Sequence, residues 1–499
     1  MSELSRRQFL GSTVLGSAAL ITAAAPAAAA AAEDKKAGAA QKTNTWDVVV
    51  VGAGTAGLVC AITAHDLGAR VCVIEKCDRP DGNSIYALGT VNAWGTKWQK
   101  ACGITDSREA FYNDMMKVSA GRADPALTAT YTDEIPAAAD WLADEIGVKF
   151  GKLKMTPWPR LGRGHRVTAE PGMTGGSALI AKLLEAAKKR AIPFFYERKA
   201  VALLTGSKGE VTGVKTLNDE EGYRDFYARG GVLIATGGFS ANPEMTDRYI
   251  GGWAARLALR GSRSTTGENV SLTLPLFAKM VNMDQFHAGP IVSETHVNPA
   301  DVLNTMQGIL VDLRGKRYMD EQNTYVIKAK TTAMNTIENK AYCIVDSKCP
   351  VLEKTIAKFD RLHNPYGKAD SIEALCKQTG LPLEAVRQSI AAYNKAVDEK
   401  TLSQLTPPNS YKKPVKLDTP PYYAVPFEGG MTATFGGPLI NTKAEVQTLE
   451  RKSIKGLYAA GNAAGGLFFR DYIGGSQLGG ATVFGRIAAR EMVARARKA

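Results

Sequence analysis

Three closely spaced glycines and a later carboxylate supply the first recognisable chemistry in this sequence. Gly52, Gly54 and Gly57 form a Gly-x-Gly-x-x-Gly motif, and Glu75 follows about twenty residues beyond it. Glycines at these positions let the backbone turn tightly against a pyrophosphate at a helix N-terminus, and an acid at this distance accepts a hydrogen bond from a ribose hydroxyl. The pattern predicts a dinucleotide-binding site formed by Gly52, Gly54, Thr55, Ala56, Gly57 and Glu75.

The segments around this motif have the patterns that such a site requires. Residues 47–51 read Asp-Val-Val-Val-Val, a run typical of a buried parallel strand, and residues 58–67 have helical periodicity. Residues 71–74 are again apolar and lead directly into Glu75. A strand, a glycine turn, a helix, a second strand and a terminal acid in this order predict a Rossmann unit. We therefore expect an α/β fold built on a parallel sheet.

Composition places the chain among ordinary globular proteins and excludes several classes. It has 499 residues, of which 45% are hydrophobic and 22% charged, enough for two or three domains. The net charge of +13 comes from scattered Lys and Arg, which favours an acidic redox partner over nucleic acid. The seven cysteines form no CxxC or CxxCH motif, and no His, Asp or Glu spacing suggests a metal ligand set. We therefore expect no haem, iron–sulfur cluster or metal site.

The first thirty-two residues predict an export signal. Arg6 and Arg7 precede Phe9 and Leu10, and an apolar stretch then leads to an alanine run that ends at Ala32. This is the pattern of a twin-arginine signal peptide. We expect residues 1–32 to be cleaved, residues 33–45 to be a flexible lead-in, and the mature chain to lack a transmembrane segment. The predicted location is the periplasm or the outer face of the cytoplasmic membrane; the alternative is that the apolar stretch anchors the protein.

Motifs beyond the glycine turn resemble the flavin-dependent fumarate reductase superfamily from about residue 46 to 495. They include Asp81-Gly82-Asn83-Ser84, the buried strand and glycine turn at 230–239, Thr266-Gly267-Glu268, and the late strand that ends in Ala460-Gly461-Asn462. The resemblance implies that the dinucleotide is FAD. To the residues named above it adds, as FAD contacts, Asn83, Ser84, Ala87, Gly89, Val201, Gly237, Gly267, Glu268, Asn462, Gly475, Gln477 and Leu478.

The resemblance also implies a domain arrangement and a reaction. The FAD-binding domain would be discontinuous, comprising residues 46–281 and 432–499, with an α+β capping domain inserted at 282–431. In such enzymes flavin N5 gives a hydride to the β-carbon of an activated alkene, and a protein acid protonates the α-carbon. This chemistry needs stabilisation of the charge on a conjugated carbonyl, a positioned proton donor, and a cap that excludes water.

The sequence departs from this family at the positions that hold fumarate. Tyr325 replaces the family's acid arginine, and Tyr472 replaces its substrate-clamping arginine. Thr432 and Ala433 replace a histidine pair, whereas His287 is retained. A buried dicarboxylate without bidentate arginines would keep unpaired charges, at a cost of several kcal/mol each. We therefore expect a neutral or monoanionic enone or enoate, aromatic or polycyclic, in place of fumarate.

The resemblance implies roles for Tyr325, Tyr472 and His287. Tyr325 is the predicted proton donor, and Tyr472 and His287 are predicted to lie beside the substrate. Arg470 and Asp471 are alternative substrate anchors, or else a surface ion pair.

Three functions are compatible with the sequence. The first is a reductase of a conjugated C=C bond in anaerobic respiration, supplied with electrons by a separate membrane-linked cytochrome or flavoprotein. The second is a dehydrogenase that introduces a C=C bond into a ketosteroid-like ring. The segment 456–462 supports it, because it ends in Asn462, where fumarate reductases have Glu, and so resembles 3-ketosteroid dehydrogenases. The third is a flavin carrier or sensor without turnover.

Overall fold

The computed structural model describes residues 44–153 and 162–498. The predicted export signal and nearly all of the predicted lead-in lie outside these residues. The strands are β1 (Thr45–Val51), β2 (Val71–Ile74), β3 (Thr90–Asn92), β4 (Gly164–Arg166), β5 (Phe194–Phe195), β6 (Lys199–Thr205), β7 (Val211–Asn218), β8 (Gly222–Ile234), β9 (Met280–Val281), β10 (Phe286–Ile291), β11 (Ile309–Asp312), β12 (Lys340–Asp346), β13 (Gly367–Ala369), β14 (Tyr422–Thr434), β15 (Gly437–Pro438), β16 (Glu445–Gln447) and β17 (Ser453–Ala459).

The helices, like the strands, are numbered in chain order. They are α1 (Thr55–Asp66), α2 (Asn83–Tyr86), α3 (Lys97–Ala101), α4 (Arg108–Val118), α5 (Pro125–Asp144), α6 (Gly175–Lys189), α7 (Pro243–Tyr249), α8 (Glu268–Thr273), α9 (Ala300–Thr305), α10 (Tyr325–Asn335), α11 (Leu352–Arg361), α12 (Ile372–Thr379), α13 (Leu383–Asp398) and α14 (Ser476–Ala496). Within residues 44–153 and 162–498, no helix combines the length and the apolar character needed to cross a membrane.

The predicted valine strand is a central strand of an eight-stranded sheet. Its main order is β16-β17-β8-β1-β2-β5, with β7 on β8 and β6 on β7. β1 pairs in parallel with β2 and β8, and β17 pairs in parallel with β8. Val48, Val49 and Val50 are fully buried, as expected of a strand covered on both faces. The predicted α/β class with a parallel, Rossmann-type sheet is therefore confirmed.

Two helices from opposite ends of the chain pack together beside this sheet. α1 begins at Thr55, one turn earlier than the periodicity of 58–67 predicts, because its first turn is the glycine motif itself. α14 packs along α1, and a Cβ atom on Gly485 would lie only 2.7 Å from the carbonyl oxygen of Ala56. The last described helix therefore belongs to the same nucleotide-binding unit as the first.

A second, antiparallel sheet forms from the middle of the chain. Its order is β10-β14-β12-β11, with β13 also paired to β14. α10 packs on β10 and β14, so the helix that begins at Tyr325 is held against the strand that carries His287. All these strands lie between residues 286 and 434. This agrees with an α+β cap inserted in the FAD-binding fold, while the bounds 282–431 stay a prediction.

Candidate active site

A cavity of about 1070 Å³ lies at the carboxyl edge of the parallel sheet. Gly52, Glu75, Ala235 and Ala460, which follow β1, β2, β8 and β17, all line it. Ligands of open α/β sheets bind at this edge. The antiparallel sheet and its helices contribute further lining residues, among them Tyr325, so the cavity extends from the edge of the parallel sheet to the antiparallel sheet.

Close backbone contacts build the predicted glycine turn. Gly52 has a φ of 106°, and a Cβ atom there would lie 2.5 Å from the carbonyl oxygen of Ala235. A Cβ atom on Gly57 would lie 1.9 Å from the carbonyl oxygen of Gly52. α1 begins without a side-chain cap, and Gly54, Thr55 and Ala56 line the cavity at its start. This is the arrangement that receives a pyrophosphate.

Two carboxylates beside this turn fit a hydroxyl-bearing cofactor. Glu75 accepts hydrogen bonds from the backbone N–H groups of Ala53 at 2.9 Å and Cys77 at 3.0 Å, and burial raises its pKa despite them. Burial also opposes ionisation of Glu268, but Lys76, at 2.8 Å, and hydrogen bonds from Thr266 and the backbone together outweigh burial and lower the pKa. Glu268 Oε2 is buried and has no hydrogen-bond partner among the described residues. A ribose or ribityl hydroxyl would satisfy such an acceptor.

Most of the predicted FAD contacts line the cavity. They are Gly52, Gly54, Thr55, Ala56, Glu75, Asn83, Ser84, Ala87, Gly89, Gly237, Glu268, Asn462, Gly475, Gln477 and Leu478. Three predicted contacts are not among its lining residues. Gly57 lies directly against the backbone of Gly52, where a side chain would not fit. Gly267 packs against the side chain of Met245. The Val201 side chain is exposed, and its neighbour Ala200 lines the cavity, because successive residues of β6 face opposite sides.

The structure brings Tyr325, Tyr472 and His287 together, although they are distant in the sequence. The hydroxyl of Tyr325 lies 3.3 Å from His287 Nε2 and 3.3 Å from the hydroxyl of Tyr472. Tyr325 is the first residue of α10, whose N-terminus is capped by Thr324. His287 lies on β10, and Tyr472 lies just before the turn that starts α14. All three line the cavity.

A chain of hydrogen bonds leads from Asn462 to His287. Asn462 Nδ2 donates to Gln477 Oε1 at 3.1 Å, and Gln477 Nε2 lies 3.3 Å from His287 Nδ1. With the two amides in this orientation Nδ1 accepts, because an amide nitrogen only donates, and the proton of the neutral imidazole is assigned to Nε2. His287 therefore donates to the hydroxyl of Tyr325, which leaves the phenolic proton of Tyr325 free to point to Tyr472 or into the cavity.

Burial keeps this cluster uncharged near neutral pH. It lowers the pKa of His287 to about 3, and the nearby Arg260 adds to the effect. Burial likewise raises the pKa of Tyr325 above its usual range and that of Tyr472 well above it. The site therefore offers neutral hydrogen-bond donors at the positions where the resembling family has arginines.

Asp471, one of the alternative substrate anchors, serves the neighbouring backbone. It accepts hydrogen bonds from Thr324 Oγ1 at 2.6 Å and from the backbone N–H of Tyr472 at 2.7 Å. Its side chain is buried, so it is not part of a surface ion pair, and burial raises its pKa from 3.8 to about 6. Asp471 thereby holds together the two segments that supply Tyr325 and Tyr472.

We expect this buried carboxyl to make stability depend on pH. A pKa that rises from 3.8 to about 6 on folding disfavours the folded, ionised form by about 3 kcal/mol, a contribution absent below pH 3.8 and complete above pH 6. About 1 kcal/mol of it is already present at pH 4.5, so Asp471→Asn should melt about 2 °C higher relative to the wild type at pH 7 than at pH 4.5. Differential scanning fluorimetry measures this, with the exposed Asp144→Asn as control. An equal difference at both pH values would contradict the assignment.

Sequence reasoning missed one residue of the site, Arg260. It lines the cavity, and its Nη1 donates to Thr432 Oγ1 at 2.6 Å. Arg260 contributes electrostatically to the pKa of His287, Tyr325 and Tyr472, so it lies close to the whole cluster. It belongs to a short Arg-Gly-Ser-Arg stretch outside any recognised motif, and no feature of the sequence distinguished it from a surface arginine. Within the described residues, no group of His, Cys, Asp and Glu could hold a metal ion.

Comparisons with known proteins agree with this geometry. A family model described as "FAD binding domain" matches residues 47–483. A fumarate reductase (cytochrome) from Shewanella frigidimarina is 31% identical over 461 residues, which are 91% of this chain and 78% of that protein. An NADH:fumarate oxidoreductase from Klebsiella pneumoniae (strain 342) is 31% identical over 467 residues; these are 92% of this chain, which spans only 48% of that protein.

A solved structure outside the fumarate reductases is similar over nearly its full length. The 3-ketosteroid-Δ4-(5α)-dehydrogenase from Rhodococcus jostii RHA1, in complex with 4-androstene-3,17-dione, superposes with a TM-score of 0.76 at 26% identity. The match covers 90% of this chain and 97% of that one. The cavity, its glycine turn and these similarities lead to one conclusion: the chain belongs to the FAD-binding fumarate reductase superfamily, whose members are oxidoreductases that act on carbon–carbon bonds.

Proposed function

We propose that this enzyme reduces the conjugated C=C bond of an enoate or enone other than fumarate. The observation that supports this is the uncharged cluster of Tyr325, Tyr472 and His287, which places a supported phenolic proton donor in the cavity. Fumarate carries two carboxylates, and Arg260 is the one arginine that lies against this cluster in the described part of the chain. The second carboxylate would lose its hydration without gaining a cationic partner.

The side chains of the cluster have separable tasks in this reaction. FAD, when bound, supplies the hydride that adds to the β-carbon of the substrate. Tyr325 then donates its proton to the α-carbon, since burial keeps its hydroxyl protonated at neutral pH. His287 donates from Nε2 to the same phenolic oxygen, and Tyr472 also lies within hydrogen-bond distance of it. Both groups stabilise the negative charge that develops on Tyr325 as its proton leaves.

The test is reoxidation of the chemically reduced protein under anaerobic conditions. We expect hydroxycinnamates, urocanate, stilbenes or 3-keto-4-ene steroids to reoxidise the flavin, and at least one of them to do so about 100-fold faster than fumarate. That ratio corresponds to about 3 kcal/mol, the scale expected for one unpaired buried carboxylate. Rapid reoxidation by fumarate alone would refute the proposal.

A dehydrogenase working in the opposite direction is the second candidate. The likeness to a 3-ketosteroid dehydrogenase and the tyrosine pair beside the cavity favour it. Turnover of a saturated ketosteroid that requires an oxidised quinone-like acceptor would support this function, and turnover of an alkene with reduced viologen would support the reductase. If the flavin is bleached by reductant yet no alkene or enone reoxidises it, the protein is a flavin carrier or sensor.

We also propose export and an external electron donor. Arg6 and Arg7 with the following apolar stretch support the twin-arginine route to the periplasm or the outer face of the cytoplasmic membrane. The absence of a haem-attachment motif supports a separate membrane-linked cytochrome or flavoprotein as the donor. Replacing both arginines with lysine should leave the flavoprotein in the cytoplasmic fraction. Unchanged fractionation of this variant would refute the export route.

A further inference from the structure

Arg260 is a largely buried arginine that has no carboxylate partner among the described residues. Burial lowers its pKa, and the ionisable groups that oppose this are Tyr325 and Tyr472, not carboxylates. Among the described residues its side-chain hydrogen bond goes to Thr432, a neutral hydroxyl, and no Asp or Glu forms an ion pair with it. A buried guanidinium without an anionic partner costs several kcal/mol unless a ligand supplies the negative charge.

Two paired glycines make room for this side chain. Gly289 of β10 and Gly430 of β14 are direct partners in the antiparallel sheet. A Cβ atom on Gly289 would lie 1.6 Å from Arg260 Nη1, and one on Gly430 would lie 2.8 Å from Arg260 Cδ. The side chain of Arg260 therefore lies against β10 and β14 at the one pair of positions where neither strand has a side chain on that face. Its backbone N–H also donates to the carbonyl oxygen of Met431 at 2.7 Å, which fixes the start of the side chain.

Arg260 and its neighbours form a site that suits a single carboxylate. Thr432 holds one end of the guanidinium, while Tyr325, Tyr472 and His287 lie on the same cavity wall and stay uncharged. A guanidinium binds a carboxylate through two parallel hydrogen bonds, which a neutral carbonyl cannot accept equally well. The site thus has one positive charge, matched to one negative charge.

We propose that Arg260, positioned by Gly289 and Gly430, binds the carboxylate of the substrate and restricts the enzyme to monoanionic enoates. This inference rests on the proposed function and narrows it, since it excludes both neutral enones and dicarboxylates as preferred substrates. It assigns Arg260 to substrate binding and leaves proton transfer to Tyr325.

Binding of unreactive ligands tests this without turnover. The probes are 3-phenylpropanoate and 3-(4-hydroxyphenyl)propanoate with their methyl esters, titrated into the oxidised holoenzyme and followed by the flavin absorbance. In the wild type we expect at least one acid to bind at least tenfold more tightly than its ester. Arg260→Gln should weaken binding of that acid about 30- to 100-fold and leave the ester within about threefold, as expected for a lost charge-assisted hydrogen-bond pair.

A second variant and a control separate binding from folding. Gly289→Ala retains the arginine but places a methyl group where its guanidinium lies, so it should lose the same preference for the acid. The exposed Arg256→Gln should keep that preference. The proposal is overturned if neither acid binds the wild type more tightly than its ester, or if Arg260→Gln weakens acid and ester equally. It is also overturned if that variant shifts the flavin midpoint potential while the preference for the acid survives.

These outcomes are distinguishable from failure of the proposed function. If alkenes reoxidise the reduced flavin but the acid preference is absent, the carboxylate assignment alone is wrong. If no alkene reoxidises it, the reductase function is wrong whatever the ligand titrations give.

Discussion

Tyr325→Phe should lower the rate of flavin reoxidation by a good alkene about 100- to 1000-fold. The variant keeps the aromatic ring but removes the hydroxyl, which lies 3.3 Å from both His287 Nε2 and the Tyr472 hydroxyl. General acid catalysis contributes about 10²- to 10⁴-fold, and the loss should fall within this range. The measurement is anaerobic single-turnover stopped flow. The wild type should also show a solvent deuterium isotope effect if proton transfer limits the step.

A matched control distinguishes loss of the proton donor from a general weakening of the cap. Tyr366 also lies between β10 and β14 in the chain, but its hydroxyl donates to Asp360 at 3.0 Å, away from the cavity. Tyr366→Phe should retain the wild-type rate. Both variants should retain FAD, because neither residue belongs to the glycine turn. A Tyr325→Phe enzyme as fast as the wild type would remove Tyr325 from the mechanism.

Gly57→Ala should yield protein almost free of flavin. The added Cβ atom would lie 1.9 Å from the carbonyl oxygen of Gly52, so α1 would have to move away from β1. Overpacking against backbone costs more than about 3 kcal/mol, equivalent to at least a 100-fold loss in FAD affinity. The ratio of visible flavin absorbance to protein absorbance after purification measures the effect.

Gly151→Ala is the corresponding control, because its Cβ atom would approach no atom of the described residues closer than 3.4 Å and it does not line the cavity. It should purify with a full complement of FAD. Far-ultraviolet circular dichroism of Gly57→Ala tests whether the sheet still forms without the cofactor. A Gly57→Ala protein that is both folded and fully flavinated would contradict the role of this close contact.

The nucleotide-binding unit was predictable because its determinants are local. Four valines, a glycine turn and an acid lie within about thirty residues of one another, a span typical of one βαβ unit. The positions of Tyr325, Tyr472 and His287 were predictable only through resemblance to a family, since they lie on α10, before α14 and on β10. The structure brings them together, whereas periodicity could not have done so.

Arg260 shows why the remainder of the site was not predictable. Its position depends on the absence of side chains at Gly289 and Gly430, which become neighbours only when β10 and β14 pair. A single sequence does not reveal which glycines serve a distant arginine. At Val201 the reason is simpler: one step along β6 exchanges the cavity side for solvent, so the side chain of Ala200 lines the cavity and that of Val201 is exposed.

The packing of α14 along α1 has a consequence for synthesis of the chain. Gly52 and Leu478 line the same cavity, so the emerging polypeptide cannot complete its FAD site until α14 has left the ribosome. Cofactor loading therefore follows synthesis of α14, and a chain truncated before α14 would bind FAD poorly even though its glycine motif is intact. The flavin content of the protein then reports on synthesis of the segment from the glycine motif through α14.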